Sequence, residues 1–153
     1  MIRKLALTVA LSTLALPAAA QSTFERFEAA AVSMNRMTND ALLAEIPSLE
    51  GNLPAPEWDD GLRAAYTCMY DSYVADVGED AMLAMVIAME SAVETVTNDQ
   101  VLQGGFAGET PEGLGEERAV EIVRQCRVVE AFTDRMVASG ATNILTQEPQ
   151  WRP

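Results

Sequence analysis

The chain lacks histidine altogether, and its only lysine is Lys4. From residue 21 onward this absence excludes a Ser-His-Asp or Cys-His nucleophile, a Schiff-base lysine and a histidine-based metal site. Acid–base chemistry would have to use carboxylates, tyrosines or arginines. The composition therefore argues against most enzyme mechanisms, and a carboxylate-based hydrolase is kept only as the last alternative below.

Positive charge is scarce as well. The chain carries 10 Lys and Arg against 23 Asp and Glu, a formal charge of −13. Residues 21–153 keep 8 arginines and all 23 carboxylates, so their formal charge is −15. Because nucleic acids and anionic membranes are bound through clustered Lys and Arg, neither is expected as a partner. Since 49% of the residues are hydrophobic, the chain is expected to fold rather than to form a disordered acidic tail.

Long hydrophobic runs are also few, and the most informative one lies at residues 5–16. It follows the basic pair Arg3 and Lys4 and precedes Pro17 and three alanines. This pattern predicts a signal peptide over residues 1–20, cleaved after Ala20. The mature protein is then expected in the periplasm or outside the cell. No later segment reaches 18 consecutive apolar residues, so no transmembrane segment is expected in the mature chain.

The chain contains two cysteines, Cys68 and Cys126. In an exported protein an even number of cysteines favours a disulfide, since the compartment is oxidising. No C-x-x-C pair is present to indicate a redox role. The two residues are therefore predicted to form one disulfide between two helices.

The spacing of apolar residues and the Pro/Gly punctuation predict an all-α protein with a single helical domain over residues 21–140. A capping box at Ser22 and Glu25 marks the first helix start, and Gly78 separates the second helix from the third. Residues 141–153 are expected to form a partly ordered tail. The connections predict a small four-helix up-and-down bundle. Its helices are expected from Ser22 to about Leu43 or Glu45, from Glu57 to Gly78, from Glu79 to Gly104, and from about Glu116 to Ala138.

The third predicted helix carries the most specific site pattern. Met82, Met85 and Met89 follow one another at steps of three and four residues and share a helix face. This face is interpreted as core, as the lining of a groove for an apolar ligand or client segment, or as thioether ligands for Cu⁺. Residues 81–89 contain no polar side chain, so this stretch is expected to be buried on nearly all sides.

A second pattern lies at the turn between the second and third predicted helices. Asp76, Glu79 and Asp80 place carboxylate oxygens around Gly78, as a Ca²⁺ site would require, although the sequence does not match an EF-hand loop. Acidic residues at a helix start also interact favourably with the helix dipole, which is the simpler interpretation.

These observations favour a small exported acidic protein of the bacterial cell envelope that binds an unidentified protein or apolar ligand without catalysis. The first alternative is a metal-binding protein, with Ca²⁺ at the acidic turn or Cu⁺ at the methionine face. A carboxylate-based hydrolase is the last alternative, because no particular pair of acids is singled out. No motif indicates a cofactor, and the oligomeric state stays open.

Overall fold

The computed structural model describes residues 21–103 and 110–148, and all regular secondary structure within these ranges is helical. The predicted signal peptide lies outside the described residues and stays a prediction, as does the end of the tail. Seven α-helices and one short 3₁₀-helix, Pro47–Leu49, follow one another along the described chain. The α-helices are α1 (Thr23–Glu45), α2 (Asp60–Val77), α3 (Glu79–Thr95), α4 (Asn98–Leu102), α5 (Glu116–Gln125), α6 (Val128–Ser139) and α7 (Ala141–Leu145).

The helix starts follow from capping side chains. The Glu25 amide donates to Ser22 Oγ at 3.2 Å, and the Ser22 amide donates to Glu25 Oε2 at 2.7 Å, which confirms the predicted capping box. At α2 the Leu62 amide donates to the carboxylate of Asp59 at 2.8 Å. Gly78, with φ of +87°, separates α2 from α3. A residue with a side chain would be strained at this φ, which explains the glycine.

Two of the four predicted helices are divided, so the simple four-helix bundle is not confirmed. The third helix ends at Thr95 instead of near Gly104, because Thr97 and Gln100 form a new capping box that starts α4. The fourth breaks after Gln125, where Arg127 adopts a left-handed conformation (φ 56°, ψ 35°). A helix cannot continue through such a residue. The prediction of one helix from Glu116 to Ala138 was therefore wrong.

Two clusters of buried side chains stabilise the fold. The larger joins α1, α2, α3 and α5 and includes the fully buried Leu62, Met82 and Ile122. The smaller gathers Leu42, the segment after α1 and Ala141. Because Ala141 is completely buried, the start of α7 belongs to this cluster, and α7 contacts α6 and the 3₁₀-helix Pro47–Leu49. No helix in the described ranges is long and apolar enough to span a bilayer.

The predicted disulfide is confirmed. Cys68 on α2 is bonded to Cys126, with the two Cα atoms 5.6 Å apart and 58 residues apart in sequence. Cys126 is buried and lies at the break between α5 and α6, whereas Cys68 is exposed. The bond therefore attaches the break between α5 and α6 to α2.

Candidate functional site

A cavity of about 320 Å³ lies between α1, α2, α3 and the α5–α6 break. Each helix contributes residues at helical spacing, so the cavity lies along the apolar faces where the helices meet. Its walls include the partly exposed Asn35, Thr38 and Tyr66, so it opens towards solvent on that side. The lining residues are Phe27, Ala31, Met34, Asn35, Thr38, Tyr66, Met69, Tyr73, Met85, Met89, Val123 and Val128.

Four methionines from three helices line this cavity: Met34 on α1, Met69 on α2, and Met85 and Met89 on α3. Met69, Met85 and Met89 are at most 8% exposed, and Met34 is partly exposed. Methionine is unbranched and polarizable, so its side chain adjusts to ligands of different shape. The cavity thus has a wall that can rearrange around an apolar guest.

The predicted methionine face is divided by the structure. Met85 and Met89 line the cavity, whereas Met82 is completely buried and is not part of the lining. The expectation that residues 81–89 are buried on nearly all sides was wrong, because Ile87 is 50% exposed. The spacing of apolar residues in α3 indicated Met85 and Met89. It could not indicate Met34, because only the tertiary fold brings α1 against α3.

Aromatic rings also line the cavity. Phe27, Tyr66 and Tyr73 line it, and Trp58 stacks on Tyr66 with ring centroids 4.6 Å apart and planes 6° apart. The rings of Phe27 and Tyr66 meet edge to face at 5.8 Å. Burial raises the pKa of both Tyr66 and Tyr73, so these phenols are neutral at physiological pH. Trp58 Nε1 is enclosed and has no hydrogen-bond partner within the described part of the chain.

The polar lining groups are few, and two of them donate hydrogen bonds to backbone carbonyls. Asn35 Nδ2 donates to the Pro56 carbonyl at 3.2 Å, and Thr38 Oγ1 donates to the Met34 carbonyl at 3.0 Å. Among the described residues that line the cavity, none carries a charge. A mostly apolar wall with a few polar groups is the usual composition of a small-molecule site.

The acidic turn has other contacts. Asp76 Oδ2 accepts from Arg118 Nε at 2.7 Å, and Glu79 Oε1 accepts from the Tyr70 hydroxyl at 2.8 Å. Burial and the Glu79 carboxylate raise the pKa of Tyr70 to about 12. Asp80 is exposed. Within residues 21–103 and 110–148, no three His, Cys, Asp or Glu side chains are grouped as a metal ion requires. Calcium at this turn stays a prediction.

A wider cleft of about 650 Å³ runs along the disulfide between α2 and α6. Its lining includes both cysteines, Arg127 and Arg135. Arg135 forms an ion pair with Asp59 at 2.9 Å, and its guanidinium also donates to the backbone carbonyls of Ala55 and Glu57, both at 2.7 Å. These bonds attach the segment before α2 to α6. Arg135 therefore has a structural role at this cleft.

No family model matches the chain, and no similar chain was found among the curated proteins or the solved structures.

Proposed function

We propose that this chain is a small exported binding protein that takes an apolar small molecule into the cavity between α1, α2 and α3. The observation that carries this proposal is the convergence of four methionines and three aromatic residues on one solvent-connected cavity of about 320 Å³. A core selected only for stability would be packed without such a space, since cavities are costly.

The absence of histidine from the chain supports binding without catalysis. The cavity also has no charged lining side chain among the described residues, so it offers no carboxylate pair or activated nucleophile. The disulfide supports an oxidising compartment, in agreement with the predicted signal peptide. We therefore propose the periplasm or the cell exterior as the place where binding occurs.

The test is a titration of the purified, oxidised protein with the neutral fluorescent probe N-phenyl-1-naphthylamine. Ala31 is a small lining residue on α1, so A31F places a ring in the cavity and should weaken binding at least about tenfold, or about 1.4 kcal/mol. The matched control is A29F, because Ala29 lies on the same helix and is exposed. Circular dichroism establishes that both variants fold. Absence of saturable binding, or equal affinity of A31F and A29F, would refute the proposal.

Cu⁺ is a second candidate, favoured by the same four thioethers around one cavity. Competition against a chromogenic Cu⁺ chelator, without oxygen and without thiol reductants, measures the affinity. M85L and M89L should weaken Cu⁺ binding because both side chains line the cavity. M82L is the matched control, since Met82 lies in the core behind it. Equal affinities for the three variants would exclude the cavity as the copper site.

A further inference from the structure

The polar groups of the cavity include oxygen acceptors. The Asn35 amide donates to the Pro56 carbonyl and the Thr38 hydroxyl donates to the Met34 carbonyl, at 3.2 and 3.0 Å. The Asn35 carbonyl oxygen and the Thr38 hydroxyl oxygen keep lone pairs for a guest, while the second amide hydrogen of Asn35 and the tyrosine hydroxyls can donate. Thioether sulfurs are weak acceptors as well. A cation that enters the cavity therefore finds oxygen and sulfur acceptors in its lining.

The aromatic rings that line the cavity also favour positive charge. The faces of aromatic rings carry partial negative charge and attract cations, most strongly when the cation is weakly hydrated. Phe27, Tyr66 and Tyr73 provide such rings, and Trp58 lies stacked behind Tyr66. Sites that recognise quaternary ammonium groups are built from rings of this kind.

The negative charge of the chain also favours a cationic ligand. Residues 21–153 have a formal charge of −15, which raises the local concentration of cations. Four arginines lie next to lining residues in sequence, and none of them is itself among the residues that line the cavity. Arg26 and Arg36 each form an ion pair with a glutamate. Arg127 lines the other cleft, and Arg124 is exposed.

We propose, resting on the proposed function, that the ligand is an organic cation with an apolar body, of the quaternary or tertiary ammonium class. Such a cation is less strongly hydrated than a primary ammonium, and ring faces and acceptor atoms around it offset part of the free energy that it loses on leaving water. The cavity would thereby select for positive charge without a carboxylate among the described residues that line it.

The test compares benzyltrimethylammonium with its uncharged isostere 2,2-dimethyl-1-phenylpropane, which has the same shape. A W151F background leaves Trp58 as the only tryptophan, and its fluorescence reports binding through Tyr66. The cation should bind about tenfold tighter than the isostere, and added salt should weaken only the cation. The anion 3-phenylpropionate should bind most weakly.

Two variants separate the ring face from general packing. Y66L removes the ring and should reduce the preference for the cation to about threefold or less, while the isostere changes little. Isothermal titration calorimetry measures binding to both variants, because Y66L also removes the ring through which Trp58 reports. Y66F keeps the ring and should retain the preference. If cation and isostere bind equally while N-phenyl-1-naphthylamine binds in a cavity-dependent way, the inference is refuted and the proposed function stands. If neither compound nor the naphthylamine binds, both are refuted.

Discussion

Removal of the disulfide should cost this protein a large part of its stability. The bond between Cys68 and Cys126 closes a loop over a sequence separation of 58 residues. In the chain-entropy model a loop of this length restricts the unfolded chain by about 4 kcal/mol at 25 °C. Domains of this size are stable by only about 5–15 kcal/mol in total. The C68A/C126A double variant is therefore expected to fold, but with a much reduced free energy of unfolding.

The location of the bond adds a local effect to the general one. Val123 and Val128 line the cavity on either side of Cys126, which lies at the break between α5 and α6. Without the bond this wall is attached to α2 by packing and by the exposed ion pair between Arg118 and Asp76. The double variant should therefore also bind the fluorescent probe more weakly, by about three- to tenfold, under conditions where it is fully folded.

Urea unfolding followed by circular dichroism measures the effect on stability. With a urea dependence of about 2 kcal/mol per molar, a loss of 4 kcal/mol lowers the midpoint by about 2 M. Dithiothreitol provides the control, because it should lower the midpoint of the oxidised protein to that of the double variant and leave the variant unchanged. A loss below about 1 kcal/mol would refute the loop-entropy argument for this chain.

Three further predictions concern single groups. Since burial and Glu79 raise the pKa of Tyr70 to about 12, the unfolded chain loses this proton first, and stability should fall between about pH 10 and 12. Y70F should show a smaller loss in urea titrations over that range, and an equal loss would contradict the assignment. R127G should be at least as stable as the natural protein, whereas R127V should lose about 1–2 kcal/mol because a β-branched residue is strained at φ of 56°. A lower urea midpoint for R127G than for R127V would refute this. Two hydrogen bonds from Arg26 lower the pKa of Glu90, so their contribution is present above pH 4.5 and is lost as the pH falls below it. Binding of a hydrophobic dye should rise between pH 5 and 3 as the carboxylates are protonated, and a flat signal would show that the fold resists acid.

Much of the fold follows from local signals that the sequence carries. The capping box at Ser22, the acidic N-cap at Asp59 and the glycine at position 78 each act over a few residues, and the structure has all three. The disulfide followed from the even number of cysteines together with the expected export of the chain. The end of the third helix was missed although Thr97 and Gln100 carry a capping signal, because the apolar pattern continues past them to Val101.

The cavity could be predicted only in part, because it depends on how several helix faces meet. Met85 and Met89 were indicated by their spacing on one helix. Their partners Met34 and Met69 lie on other helices, and only the packing of α1 and α2 against α3 brings them to the same space. Helix periodicity identifies which side of a helix is buried, but it does not say whether the space beyond that side is filled.

The break in the predicted fourth helix contributes directly to the cavity. Val123 and Val128 are five residues apart, so on a continuous α-helix their side chains would point about 140° away from each other. In the structure both line the same cavity, because the left-handed Arg127 changes the chain direction between them. The disulfide at Cys126 holds this bend against α2. A left-handed arginine destabilises the fold. Such strained residues are expected at binding sites, where the geometry of the site can outweigh local helix preference. The α5–α6 break, which the apolar periodicity did not predict, therefore supplies the side of the proposed site that α1, α2 and α3 leave open.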